Sequence, residues 1–158
     1  MQPVRLGPQD DMAPVHALLH AAFAYMEARI DPPSSLHRMT PESLARDAAT
    51  KELWVIRPGP APLACVLLTP ETDHLYLGKL AVAEAARGTG LSRQLMDHAV
   101  TRAAVLGLPR IVLQSRIELT ENHAIFARMG FVETGRTAHD GYDRPTSLTF
   151  TRDLTATA

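Results

Sequence analysis

The chain has 158 residues, 46% of them hydrophobic and 21% charged, which excludes a mainly disordered chain and fits one domain with its own core. With 16 Lys and Arg against 17 Asp and Glu, a net charge of -1 gives no electrostatic footprint for nucleic acid or an anionic membrane surface. The single cysteine, Cys65, excludes an internal disulfide framework and a cysteine-rich zinc site.

Val4 to Leu6 predicts a short strand. Met12, Val15, Leu18, Leu19, Ala22, Phe23 and Met26 then recur at helical spacing, with Asp10 the expected cap and Pro14 tolerable in the first turn. Asp31-Pro32-Pro33-Ser34-Ser35 ends that helix, and a short helix is predicted over 41–49. The period then changes. Segments 53–56 and 63–68 read as a hairpin around Gly59-Pro60-Ala61-Pro62, and 75–82 as a third strand. Leu91, Leu95, Met96, Ala99, Val100 and Ala103 trace one face of a helix that Gly107 and Pro109 stop. Ile111-Val112-Leu113 predicts a buried strand, and 124–129 a helix that starts near Thr120 and stops at Gly130. Two last strands follow, from Phe131 onward and over 148–154. The order is β-α-α-β-β-β-α-β-α-β-β, a mixed α/β layer fold. Residues 1–154 are expected as one domain, and 155–158 as a frayed tail. The start lacks an apolar signal core, and no apolar run approaches the ~20 residues of a membrane helix. A soluble, cytoplasmic chain is expected.

The third strand changes phase. Leu75 and Leu77 occupy odd positions, Leu80 and Val82 even ones. A strand has period two, so its apolar face keeps one parity unless a residue is inserted. A β-bulge at Gly78-Lys79 restores the phase, frees backbone amides and splays the neighbouring strand. A weak spot in an edge strand is the plainer reading of Gly78.

Arg87-Gly88-Thr89-Gly90-Leu91-Ser92 follows that strand and opens the long amphipathic helix. Two glycines allow a tight turn whose amides, with the helix dipole, form a phosphate cradle without a lysine. A plain strand-to-helix loop is the alternative. Arg93 stands where a dinucleotide fingerprint needs its third glycine, and the Gly-Lys-Ser/Thr of a P-loop is absent.

The run from Leu80-Ala81-Val82 through Ser92 resembles the acetyl-CoA-binding motif of the GNAT N-acetyltransferase superfamily. Asn122, Phe126 and Met129-Gly130-Phe131 are similar to that family's Asn-containing helix ending in Gly-Phe. The resemblance implies a GNAT fold, a mixed α/β (α+β) architecture. Its central sheet has a bulged, splayed middle strand and helices on both faces. It implies an acyltransferase moving an acetyl group from acetyl-CoA to a primary amine of a small molecule or peptide, directly within a ternary complex. On this reading Leu80, Ala81 and Val82 hold the pantetheine arm, Arg87, Gly88, Thr89, Gly90, Leu91 and Ser92 bind the pyrophosphate, and Asn122 and Phe126 complete the cosubstrate site. Ser92 departs from the usual Gly or Ala but is small. Phe126 stands where many members carry a tyrosine that protonates the leaving thiolate, and phenylalanine has no proton to give. A non-catalytic acyl-CoA-binding or sensing domain is the alternative within the fold. A protein-interaction module with a vestigial loop is another, and neither membrane nor nucleic acid is an expected partner. Self-association into a homodimer stays open.

For the base, His74 has a suitable intrinsic pKa at the start of the bulged strand, although a surface histidine beside Asp73 is the plainer reading. For the acid, the last connection, 139–146, offers Tyr142 or His139; an exposed loop tip is the alternative. His16 and His20 are four apart, without the Glu of a His-Glu-x-x-His motif or a third ligand, so a solvated helix face and no metal are expected. Cys65, within Leu63-Ala64-Cys65-Val66-Leu67, reads as a small buried hydrophobe. Trp54 reads as sheet packing, and Arg116 as a strand end at the rim of a cleft.

Overall fold

The computed structural model describes residues 1–155. Its strands are β1 (Val4–Leu6), β2 (Glu52–Ile56), β3 (Ala64–Pro70), β4 (Leu75–Val82), β5 (Arg110–Arg116), β6 (Val132–Thr137) and β7 (Ser147–Asp153). Its α-helices are α1 (Ala13–Phe23), α2 (Pro41–Thr50), α3 (Leu91–Leu106) and α4 (Thr120–Arg128), in the predicted order. The strands form one sheet in the order β1-β2-β3-β4-β5-β7-β6. Every pairing is antiparallel except β4 with β5.

The sheet separates two cores because alternate residues of each strand face opposite sides. Leu53, Val55, Cys65, Leu67 and Ala81 pack against α1 and α2. Val66, Leu68, Leu75, Leu77, Ile111 and Leu113 pack against Leu95, Met96, Ala99 and Ala103 of α3, with Phe126 and Met129 from the α4 side. Each fully buried Leu or Met contributes roughly 1.5–3 kcal/mol through lost water contact. The helix ends are set locally. In α2, Thr40 accepts from the Ser43 amide at 3.0 Å and Ser43 from the Thr40 amide at 2.9 Å. Helix α3 runs between glycines in the left-handed region, Gly90 (φ 86°) and Gly107 (φ 71°).

Several expectations need correction. Asp10 does not cap α1: its carboxylate accepts from the Gly7 amide at 2.7 Å, while Asp11 accepts from Ala13 at 3.0 Å. The buried strand at Ile111 is longer than the apolar triplet suggests, because its polar ends pair with β7 from Arg110↔Asp153 to Arg116↔Ser147. The expectation of a frayed tail stands as it was: Thr155 makes only local bonds to Asp153, its amide and hydroxyl donating at 2.9 and 2.7 Å. Residues 156–158 lie outside the described residues.

The phase slip in β4 is a bulge. Gly78 pairs with Leu67 and Ala81 with Cys65, so two residues of β4, Lys79 and Leu80, face one residue of β3. The left-handed conformation belongs to Lys79, at φ 51°, and not to Gly78. Gly78 has a different use: a Cβ there would lie 3.5 Å from the Tyr76 ring, which packs over the bare glycine. Strand β4 pairs with β5 only at Leu75↔Ile111 and Tyr76↔Val112. Past Tyr76 the two strands part.

Candidate functional site

The parting of β4 and β5 opens a cleft of about 1150 Å³. Its floor is Leu67, Thr69, Tyr76 and the bulge residues Gly78, Lys79 and Leu80. One wall is Phe23, Met26 and the loop 32–38; the other is the end of β5, then Leu119, Asn122 and Phe126 beside α4. His139 and Asp140 close the rim.

The bulge supplies the chemistry of the floor. Beyond Tyr76, the edge of β4 toward β5 has no ladder partner, so its backbone donors and acceptors face the gap. Leu80 lines the cleft, whereas Ala81 packs into the core under α1 and α2, and Val82 pairs with Ala64. Burial pushes the Tyr76 phenol up, with hydrogen bonding to the Gln114 backbone working against it.

The turn after β4 is exposed from Arg87 to Gly90. Gly88 (φ 79°) and Gly90 (φ 86°) both take the left-handed conformation, which a side chain at either position would strain. The first α3 hydrogen bond runs from the Gln94 amide to the Gly90 carbonyl at 3.0 Å. Helix geometry therefore leaves the amides just inside the start of α3 unpaired along the axis. Gly90 brings no capping side chain, and the first turn of α3 has no acidic residue. Those amides and the positive dipole end suit an anion such as a phosphate. This turn lies beyond the end of β4, outside the lining of the cleft.

Asn122 and Phe126 both line the cleft. Asn122 donates to the Tyr25 hydroxyl at 3.1 Å. The Phe126 ring is held edge-on by Phe131, with centroids 6.1 Å apart, and tilted against Phe150 at 6.0 Å. The two residues named for acid and base lie elsewhere. His74 Nδ1 is 2.7 Å from Asp73 Oδ1, and Asp73 also pairs with Arg110 at 3.3 Å. That cluster sits at the closed end of β4, five residues from the bulge, which in a strand is roughly 16 Å. Tyr142 donates to Asp31 at 2.5 Å, a bond that raises its pKa, and it is absent from the lining. His139 does line the cleft, with Nδ1 in a short hydrogen bond to the Thr146 hydroxyl.

Sequence reasoning missed the strap that holds the cleft mouth. Arg116 donates to the carbonyls of Pro32 at 2.7 Å and Pro33 at 3.1 Å. Arg29 grips Glu121 at 2.6 and 2.9 Å. Asp31 takes the Tyr142 hydroxyl and lies 3.5 Å from Arg144. These contacts join positions 83 to 113 residues apart, and the only local signal was the Asp-Pro-Pro break. Cys65 is buried and its thiol is pushed up to about 12 by desolvation, so it has no nucleophilic role.

The Acetyltransferase (GNAT) family model matches residues 16–131, which includes the bulged strand, the glycine turn and α4. The chain belongs to the GNAT acetyltransferase family. Solved GNAT structures share the fold over nearly the whole chain. A GNAT family acetyltransferase from Elizabethkingia anophelis with acetyl-CoA bound is 17% identical, covers 97% of both chains and has a TM-score of 0.69. The IAA acetyltransferase from Bacillus cereus ATCC 14579 is 18% identical, covers 96% of this chain and 98% of its own, and has a TM-score of 0.67. Aminoglycoside 6'-acetyltransferase type Ii reaches a TM-score of 0.76 at 12% identity, covering 98% and 97%. At these identities the likeness concerns the fold. No curated protein sequence matches this GNAT chain. Among the described residues no helix is long and apolar enough to cross a membrane.

Proposed function

We propose that this GNAT chain is an N-acetyltransferase that moves an acetyl group from acetyl-CoA to a primary amine by direct transfer. The observation that carries the reading is the bulge at Lys79-Leu80 and the parting of β4 from β5 beside it, one strand-length from the glycine turn. The Arg87 amide is taken by the Glu84 carbonyl at 3.2 Å, so the free amides of 88–92 hold the pyrophosphate. The free edge of β4 at Leu80 to Val82 pairs with the pantetheine arm, and Asn122 and Phe126 flank it. The amine nitrogen attacks the thioester carbonyl, and a backbone N–H of the bulge donates to the oxyanion. The C–S bond then breaks, the nitrogen gives up its proton, and CoA departs as the thiolate, which solvent water protonates. His139 lines the cleft and takes the amine proton on an imidazole nitrogen, directly or through water. The thiolate leaves to solvent. Its parent thiol titrates near ~8.5, so departure needs no strong acid.

The lining carries Arg38, Lys51, Lys79 and Arg116 against Glu71 and Asp140. This excess of cations favours an amine that also bears a carboxylate. The test is an acceptor panel read by CoA thiol release, pairing free amino acids and acidic peptides with their amides. Turnover of primary amines, faster for the carboxylate-bearing member of each pair, is expected. His139→Gln is expected to lower kcat by about 100-fold with little change in the acetyl-CoA KM. A second reading rests on Phe126: with no phenol there, a sensing domain would bind acetyl-CoA and release no thiol with any acceptor. That result would remove the enzyme reading and keep the cosubstrate site.

A further inference from the structure

We propose that His16, His20 and the backbone carbonyl of Met39 form a binding site for a borderline divalent transition-metal ion of the Zn2+ type. The two histidines are one turn apart on α1 and share a face. Their rings are tilted at 55° with centroids 4.4 Å apart. His16 Nε2 lies 3.2 Å from His20 Nε2 and 3.0 Å from the Met39 carbonyl oxygen.

Two-centre hydrogen bonding accounts for only one of these two contacts, and a single His16 proton shared between both is a weaker, three-centre arrangement. Each imidazole nitrogen carries either a proton or a lone pair, and a carbonyl only accepts. If His16 Nε2 holds the proton and donates to Met39, it has no lone pair for His20. If it holds the lone pair and accepts from His20, it faces the lone pairs of Met39 across 3.0 Å. One close contact is always left without a proton of its own. A cation among the three atoms satisfies all three lone pairs together. The spacing agrees: nitrogens at 2.0–2.1 Å from a tetrahedral zinc stand about 3.3 Å apart, close to the 3.2 Å between the two Nε2 atoms.

The donor set chooses the ion. Among the described residues no third His, Cys, Asp or Glu joins the group, so the remaining positions go to water. Two neutral imidazoles and a carbonyl suit Zn2+, Ni2+ or Cu2+ and not Mg2+ or Ca2+, which want hard oxygen cages. The third ligand is main-chain, so no sequence motif announces it. It also gives the site a consequence. Met39 directly follows Leu36, His37 and Arg38, which line the cleft wall. An ion here fastens that wall to α1. The site owes nothing to the acetyl-transfer reading.

Chelator-washed protein is titrated with ZnCl2 by calorimetry, with MgCl2 as the control. One equivalent of Zn2+ is expected to bind with a micromolar Kd, Mg2+ is not, and tenfold saturation raises Tm by roughly 4 °C. His20 is exposed, so His20→Ala keeps the fold. It is expected to weaken Zn2+ binding by about tenfold or more, as is His16→Ala. No Zn2+ binding by the wild type overturns the proposal. Unchanged affinity in His20→Ala overturns it equally, because the ion then sits elsewhere.

Discussion

Gly90→Asp is expected to weaken acetyl-CoA binding by at least about 100-fold while lowering Tm by only a few degrees. The two effects separate because position 90 has two roles. As the N-cap of α3, it takes φ 86° and ψ 11°. A side chain in that left-handed conformation costs ~1–2 kcal/mol, and Asp is among the residues that tolerate it best. An Asp carboxylate at an N-cap also interacts favourably with the helix amides and dipole. No heavy atom lies within 4 Å of a Cβ built there, so the folded chain has room. Binding has no such compensation. The carboxylate takes the amides meant for the pyrophosphate and repels it, with unit charges 4 Å apart near a protein surface worth about 4 kcal/mol. Gly90→Ala separates strain from charge, and a loss of tenfold or less is expected. Calorimetry gives the affinities and a thermal melt the stability. Full affinity in Gly90→Asp would take the turn out of the cosubstrate site.

Arg102→Met is expected to lower stability by about 3–5 kcal/mol, a Tm drop of roughly 10 °C. Glu52 on β2 is only 4% exposed, yet its hydrogen bonds with Arg102 favour the ionised form. Arg102 of α3 donates to it twice, from Nε at 2.7 Å and Nη2 at 2.9 Å, and Trp54 Nε1 donates at 3.0 Å. The Arg102 hydrogen bonds hold the Glu52 carboxyl below the usual glutamate range, against the opposing pull of burial. Truncating Arg102 strands a buried carboxylate with one donor. The double variant Glu52→Gln/Arg102→Met is expected to recover most of the loss, since no charge is left to solvate. The pH dependence follows from the depressed pKa. The stabilisation is complete above the unfolded-state value, near ~4.3, and is lost as pH falls through the lower folded-state value. Wild type therefore loses this contribution in acid, and Arg102→Met has less to lose there. Denaturant unfolding between pH 7 and pH 3 measures both slopes. Equal stability of Arg102→Met and wild type at pH 7 would show that the pair contributes nothing.

What the sequence disclosed was local. The parity change between Leu77 and Leu80 located the bulge to within a residue, because strand alternation leaves no other way to bury Leu75 and Val82 on one face. It could not decide that Lys79, not Gly78, takes the left-handed turn. That choice depends on the pairing of Gly78 with Leu67 and on the Tyr76 ring over the glycine. Gly88 and Gly90 were legible because their conformations are short-range properties of the turn. For His74 a strand position was readable, but not that its end of β4 is the one that stays paired to β5. The partner of Tyr142, Asp31, was not legible because it lies 111 residues away. The Glu52–Arg102 pair spans 50 residues, and nothing around Glu52 marks it as buried. Distant pairing and main-chain ligands such as the Met39 carbonyl leave no trace in spacing.

The measurement that bears most directly on the cosubstrate site is a calorimetric titration of acetyl-CoA into the wild-type protein, with free CoA and NAD run in parallel. One-to-one binding of acetyl-CoA in the micromolar range, about -8 kcal/mol, is expected, together with binding of CoA and none of NAD. Absence of acetyl-CoA binding, or equal binding of NAD, would contradict the assignment of the glycine turn and the opened edge of β4 to acetyl-CoA.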